Sequence, residues 1–293
     1  MNFIDHTKFW LSLYQYKNLP NFLLSESEEE RVEQYCKLTQ KFKLNNPTKV
    51  NSINIFQKSS YAYDWYRIFS KNDNRLCNFA FGDIQYVPEE PTFTKSRPIS
   101  QFNANNVLLP LNTIRHFKFE KDNLSFNSKN EKAVWRGAVY KDKRKLFIKT
   151  AQNLRNCDVR DTSRNSKKNF LGKSTNFIPR KKQLQNKFIF AIEGNDVASN
   201  LKWIMASNSI PIMPKPNFET WFLESNLIPN QHYIEIASDF SNINEVIEKY
   251  LTYTALAKEI NEESKRYSSQ FLDLKKEVQI ARIVANRYFK FTS

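Results

Sequence analysis

Cysteine is scarce in this chain. Its 293 residues contain three, Cys36, Cys77 and Cys157, far apart and odd in number. That argues against a disulfide framework and for a reducing compartment. None forms a C-x-x-C pair, and none of the three histidines, His6, His116 and His232, has a second histidine at metal-ligand spacing. Neither H-E-x-x-H nor D-x-D occurs, so the expectation is chemistry with no metal and no cofactor. No apolar run approaches the roughly 20 residues needed to span a bilayer. The first residues lack the basic start and long apolar core of a secretory leader. Together these absences predict a cytoplasmic protein, peripheral on the inner face of the cytoplasmic membrane at most. Internal repeats and low-complexity tracts are also missing. Acid is in short supply: 45 Lys and Arg face 30 Asp and Glu, a net charge of +15 with a pI near 9.6. That imbalance implies a polyanionic partner: nucleic acid, an anionic membrane surface or a phosphorylated substrate.

What is present is enough for one large or two modest domains, with 14% aromatic residues to build a core. Residues 1–60 read as helical. Phe9, Leu11, Leu13 and Tyr14 suggest an amphipathic piece. Ser27-x-x-Glu30 reads as a capping box before an inward face of Val32, Tyr35, Cys36 and Leu38. Tyr61, Tyr63, Trp65 and Tyr66 form an aromatic cluster suited to a core, or to stacking on sugar rings. Cys77 to Phe81 is mostly apolar, Gly82-Asp83 turns, and Ile84 to Val87 resumes as a strand. A Pro-bounded loop carrying Glu89 and Glu90 follows, with Lys95 and Arg97 close behind. Carboxylates and cations this close on a loop after a strand make a candidate site. Arg115-His116 comes after a short apolar element, and His116 is the histidine best placed for a functional role. Residues 119–132 are polar and read as an interdomain connection.

The chain's most informative stretch is Lys187 to Thr220. Phe188 to Ile192 is an unbroken apolar run, the length of a buried strand. Glu193-Gly194-Asn195-Asp196 breaks it, with Asn195 or Asp196 as helix N-cap. Val197, Leu201, Ile204 and Met205 recur at helical spacing up to Asn208. Ser209 to Met213 is a second buried strand, stopped by Pro214 and Pro216. This strand–turn–helix–strand unit belongs to a parallel α/β sheet, in which ligands sit beyond the carboxyl ends of the strands. Upstream, Ala133 to Trp135 suits a strand end, Arg136-Gly137-Ala138 opens a loop, and Arg144 precedes an amphipathic helix. Residues 162–187 carry eight Lys or Arg and no acid. Gly172-Lys173-Ser174-Thr175 within them is half a P-loop only, because Lys167 stands where the earlier glycine belongs. After Asp239 the chain reads as helical. Ser241 or Asn242 caps one helix, and a second near Tyr267 to Tyr288 has Phe271, Leu274, Val278, Ala281 and Ala285 on one stripe.

The run EGNDVASNLKWIMASNSIPIM (Glu193–Met213), ETWF (Glu219–Phe222) and HYIEI (His232–Ile236) resembles glycosyltransferase family 90. Protein O-glucosyltransferases, fungal capsule xylosyltransferases and bacterial lipopolysaccharide-modifying enzymes belong to that family. The match is best to the bacterial branch and extends over roughly Gly82 to Tyr250. The resemblance implies that the 136–138 loop (Arg136, Gly137, Ala138) and Arg144 contact a nucleotide diphosphate. Gly194, Ser199 and Lys202 are family-matching positions, and Asn200 replaces an arginine common in other branches. Asp196 caps the helix with Asn195, or holds a sugar hydroxyl, and Glu219 falls near the nucleoside or sugar. GDIQYVPEEP followed by KSRP resembles the acceptor-side region whose carboxylate acts as base. Asp83 ranks first for that role, Glu90 second, and Glu89 is also a candidate; Lys95, Arg97 and His116 stand on the acceptor side.

The expected fold is therefore α/β of the GT-B type, two Rossmann-like domains facing a cleft. Residues 1–122 form the acceptor-side domain, 123–265 the nucleotide-sugar domain, and 266–293 a terminal helix returning to the first. The expected function is inverting, metal-independent transfer of glucose, another hexose or xylose. The donor is a UDP-sugar and the acceptor is lipopolysaccharide core or a related surface glycan. The rival expectations are a basic nucleic-acid-binding protein, and a catalytically dead relative that scaffolds glycan assembly. UDP-sugar, glycan acceptor and anionic membrane are the expected partners of the first reading, with nucleic acid a partner only of the rival.

Overall fold

The computed structural model describes residues 13–17, 19–20, 22–54, 59–163, 166–168 and 174–292. Phe9 and Leu11 of the expected first amphipathic piece, and Gly172 and Lys173 of the half P-loop, lie outside them. In chain order, α1 (Glu26–Tyr35), β1 (Thr48–Lys49), α2 (Ser59–Ile68), β2 (Leu76–Cys77) and β3 (Phe79–Ala80) come first. Then follow β4 (Thr92–Thr94), β5 (Ser96–Pro98), β6 (Asn106–Leu108), α3 (Thr113–His116), β7 (Asn130–Gly137), α4 (Asp142–Ala151) and β8 (Cys157–Asp161). Next are α5 (Arg180–Gln183), β9 (Asn186–Phe190), α6 (Leu201–Met205), β10 (Ile210–Met213) and β11 (Phe218–Thr220). The chain closes with β12 (Ile234–Glu235), α7 (Ile243–Thr252), α8 (Thr254–Ser269) and α9 (Leu274–Thr292). Two compact units result: Met1–Arg115 with Phe218–Phe222 and Asp273–Ser293, and His116–Asn217 with Leu223–Leu272.

The first unit holds a parallel three-stranded sheet in the order β3-β4-β6, with two-stranded antiparallel pairs β1-β2 and β5-β11. Aromatic rings fill its interior. Trp65 packs on Phe69, Phe79, Phe81 and Phe93, and Phe93 lies 4.0 Å from the ring of Tyr288 on α9. The cluster at 61–66 is thus core: Trp65 is fully buried, and its indole N–H donates to Val50 O at 3.0 Å. α9 packs against α1 and α2. Arg31 on α1 meets Glu277 on α9 at 2.6 Å, both buried. Trp221 donates its indole N–H to the same carboxylate and stacks on Tyr35 at 3.7 Å. These contacts tie the short 218–222 segment to the first unit.

The second unit is built on a five-stranded sheet in the order β12-β10-β9-β7-β8, every neighbouring pair parallel. Parallel strands covered on both faces read as continuous apolar runs. β9 obeys this, with Phe188, Ile189 and Phe190 fully buried. Phe147 of α4 sits edge-on to Trp135, Phe190 and Phe240.

Four local expectations change. The capping box lies two residues earlier, because Ser25 N–H donates to Glu28 at 2.8 Å and Ser25 is the N-cap. Residues 84–87 form no strand, since Ser96 Oγ takes the Ile84 N–H at 3.1 Å in place of a strand partner. The helix expected from Asp196 starts at Leu201, with a turn-rich segment in between. The expected helix at 267–288 is two helices. α8 stops at Ser269, and Asp273 starts α9 by accepting the N–H groups of Lys275 and Lys276 at 3.0 and 3.2 Å. Its apolar stripe is real: Phe271, Val278, Ala281 and Ala285 are all buried.

Candidate functional site

In the second unit β7, the first strand of the sheet, lies beside β9, the third; β8 is on one side, β10 and β12 on the other. This is the doubly wound order, whose ligands sit at the carboxyl ends of the strands where the order reverses. Here those ends are Gly137-Ala138 after β7 and Ala191 to Gly194 after β9.

Arg144, in the first turn of α4, spans both. Its guanidinium donates to Ala138 O at 3.0 Å, to Ile192 O at 2.7 Å and to Glu193 O at 3.0 Å. Its carbon stands 5.5 Å from the Trp135 ring centroid. The chain has four glycines, and two of them adjoin this group. A Cβ on Gly194 would come within 3.1 Å of Arg144 Nη2, and one on Gly137 within 2.4 Å of the Trp135 ring. An added Cβ would collide with the ring at Gly137 and would be a tight fit against the end of the Arg144 side chain at Gly194.

Two residues that sequence reasoning did not single out complete the frame. Glu193, buried at the end of β9, accepts from Lys143 Nζ at 2.9 Å and from Asn217 N and Nδ2 at 2.8 and 2.7 Å. It thereby ties α4 to the loop after β10. Asp161, at the end of β8, accepts from Val139 N at 3.2 Å and from Ser163 N and Oγ at 2.7 and 2.8 Å. The one signal for them in the sequence is position: each is an acid at or just beyond the end of a strand.

The other donor-side candidates divide. Asp196 is buried, and its carbonyl closes the 194–196 turn by accepting Gly194 N–H at 3.1 Å. Asn195 is exposed and Ser199 half-buried in the same connection. Asn200 donates its amide to Phe190 O at 2.8 Å, so it fastens the start of α6 to β9. Arg136 turns toward β8, with its guanidinium on the Asp158 carboxylate and carbonyl, each at 2.7 Å. Lys202 is fully buried in an ion pair with Glu224. Glu219 lies in the first unit, where it takes Arg97 Nε at 2.7 Å across the β5-β11 pair.

On the acceptor side, Gly82 has φ +128°, a conformation that favours glycine, and Asp83 follows it. The Asp83 carboxylate is paired with the ammonium of Lys95, a residue almost fully buried. Glu90 is held by the Asn45 side chain and backbone and by Asn78 Nδ2 at 2.8 Å. Glu89 is exposed. Arg97 is fully buried, donating to Gln34 O at 2.6 Å and Asn106 O at 3.0 Å as well as to Glu219. His116 is buried at the end of α3. His232 accepts Ile228 N–H at 2.9 Å, and burial lowers its pKa. Among the described residues no group of three or more His, Cys, Asp or Glu is placed to hold a metal ion. No helix there is long and apolar enough to cross a membrane.

A doubly wound α/β protein with an arginine laid across the switch point of its sheet is the class that these features define. The profile of Glycosyl transferase family 90 matches residues 104–292. A Dichelobacter nodosus protein named O-glucosyltransferase LpsA is 36% identical over 289 residues, covering 96% of this chain and 90% of the relative. The chain belongs to glycosyltransferase family 90. It is a glycosyltransferase, and its partners are a sugar donor and a glycan acceptor.

Proposed function

We propose that the protein transfers glucose, or a related hexose or xylose, from a UDP-sugar to a hydroxyl of lipopolysaccharide core or a related surface glycan. Transfer proceeds with inversion and without metal or cofactor. In this GT-B type reading, the second unit takes the donor and the first presents the acceptor and the base. The observation that carries it is Arg144 held by the carbonyls of Ala138, Ile192 and Glu193 at the sheet's switch point. A planar, permanently charged fork suits a diphosphate. The name of the Dichelobacter relative supports glucose as the sugar and an oxygen as its acceptor. The net charge of +15 supports work at an anionic membrane surface.

Asp83 is the base. Glu90 is engaged by two asparagines, whereas Asp83 follows a glycine turn and is ion-paired with Lys95. Asp83 takes the proton of the acceptor hydroxyl as that oxygen attacks the anomeric carbon from the face opposite the diphosphate. The bond from the anomeric carbon to the diphosphate oxygen breaks, and its electron pair leaves with UDP. Arg144 stabilises the departing charge, together with Lys143 once the diphosphate draws it from Glu193.

A thermal-shift panel of nucleotides, UDP-sugars and short oligonucleotides, with and without Mg²⁺, tests the reading. Stabilisation by UDP and one UDP-sugar without metal is expected, because a ligand that binds the folded state raises its midpoint. A flat nucleotide panel beside stabilisation by oligonucleotides would reject it.

A further inference from the structure

The first unit contains a pocket of about 440 Å³ that none of the candidate catalytic, donor or acceptor residues lines. Its size falls within the ordinary range of small-molecule sites, about 300–1,000 Å³. The floor is apolar and aromatic: Tyr16, Tyr66, Ile68 and Phe69 are buried, and Tyr66 is fixed by donating its hydroxyl to Ile53 O at 2.9 Å. At the rim stands Tyr14, with 69% of its surface exposed, an aromatic ring left in water at the mouth of a cavity.

The charge around this floor is one-sided. Among the described residues, Lys17, Lys71, Arg75 and Arg282 line the pocket against a single acid, Asp73. Asp73 is spent on Arg75, whose guanidinium grips both carboxylate oxygens, at 3.0 and 2.6 Å. Arg282 donates to the carbonyls of Tyr16, Ile68 and Arg67, none of them a carboxylate, so its positive charge stays in the wall. The same bonds fasten α9 to the last turn of α2 and to Tyr16, so Arg282 stands on a braced frame.

Aromatic faces suit the C–H faces of a sugar ring, and clustered cations beside them suit a phosphate. We propose that this pocket binds a phosphorylated saccharide. Its use as an anchor for the acceptor glycan rests on the glycosyl-transfer reading; the binding does not.

Calorimetric titration of the full chain with glucose 6-phosphate, glucose and inorganic phosphate tests it. Glucose 6-phosphate should bind, more tightly than glucose or phosphate alone and more weakly as salt rises. Lys17→Glu with Lys71→Glu should weaken it roughly tenfold, and Tyr14→Ala should weaken it as well. Lys17 and Lys71 are exposed, so the response to UDP should be unchanged in the double variant, which reports an intact fold and donor site. Absence of glucose 6-phosphate binding overturns the proposal, and so does binding that the double variant leaves intact. Inorganic phosphate binding as tightly as the sugar phosphate also overturns it, leaving an anion site only. If binding holds, the double variant should raise the KM for a phosphorylated acceptor and not for its dephosphorylated form. Equal KM values would sink the anchoring role alone.

Discussion

Asp83 and Glu90 show how much a single side chain's surroundings decide. Both are loop carboxylates of the first unit; the first meets a buried lysine, the second two asparagines. Asp83→Asn should abolish transfer, by about 10²–10⁴-fold in kcat, with UDP-sugar affinity retained. Glu90→Gln should keep most of the activity. Equal activity of Asp83→Asn and wild type would remove Asp83 as base. Arg144→Ala should weaken UDP affinity by about tenfold or more, since it removes a charge-assisted partner worth roughly 1.5–3 kcal/mol. Titration with UDP reads this directly, and unchanged affinity would dismiss the diphosphate site. Asp64 adds a pH dependence of stability. Burial pushes its carboxyl up to about 6, against the opposing pull of Arg67 and of two hydrogen bonds from Thr113. The folded state then binds the proton more tightly than the unfolded chain. Stability of the first unit should therefore be greatest below about pH 4 as far as this group is concerned, and fall as pH rises toward 6. Urea midpoints over that window should flatten in Asp64→Asn.

Among the elements, the sheet of the second unit was the most legible. The apolar runs at Phe188 to Ile192 and Ser209 to Met213 announce two buried strands, and the structure has β9 and β10 there. Helix boundaries were less so. Asp196 is a good N-cap by type, yet α6 begins at Leu201, because Gly194 N–H closes on Asp196 O and Asn200 is drawn to the end of β9. The stripe from Phe271 to Ala285 fits one helix or two in register, and only the capping by Asp273 shows that it is two. Phe188 is fully buried at the centre of the parallel sheet. Phe188→Ala should cost about 3–5 kcal/mol, a large-to-small change in a packed core. A shift of the urea midpoint with an unchanged m-value checks it.

At the scale of the whole molecule, the chain divides into two units that are not contiguous in sequence. Phe218–Phe222 and Asp273–Ser293 cluster with the first 115 residues. The buried pair Arg31–Glu277, joined by Trp221, links three segments that the sequence keeps far apart. Removing one partner leaves the other charge buried and unpaired, so Glu277→Ala should destabilise the first unit by about 3–5 kcal/mol. Near-UV dichroism against urea would show it, and an unchanged midpoint would contradict this account. By itself the sequence determined the parallel α/β character, the buried strands, the family and the 136–138 loop that precedes Arg144. All of these are written in local runs of residue type. Only tertiary structure decided that Lys202 goes to Glu224, that Glu219 goes to Arg97, and that Glu193 and Asp161 frame the switch point. A charged residue's role depends on which partner reaches it through the fold, and sequence spacing does not encode that distance.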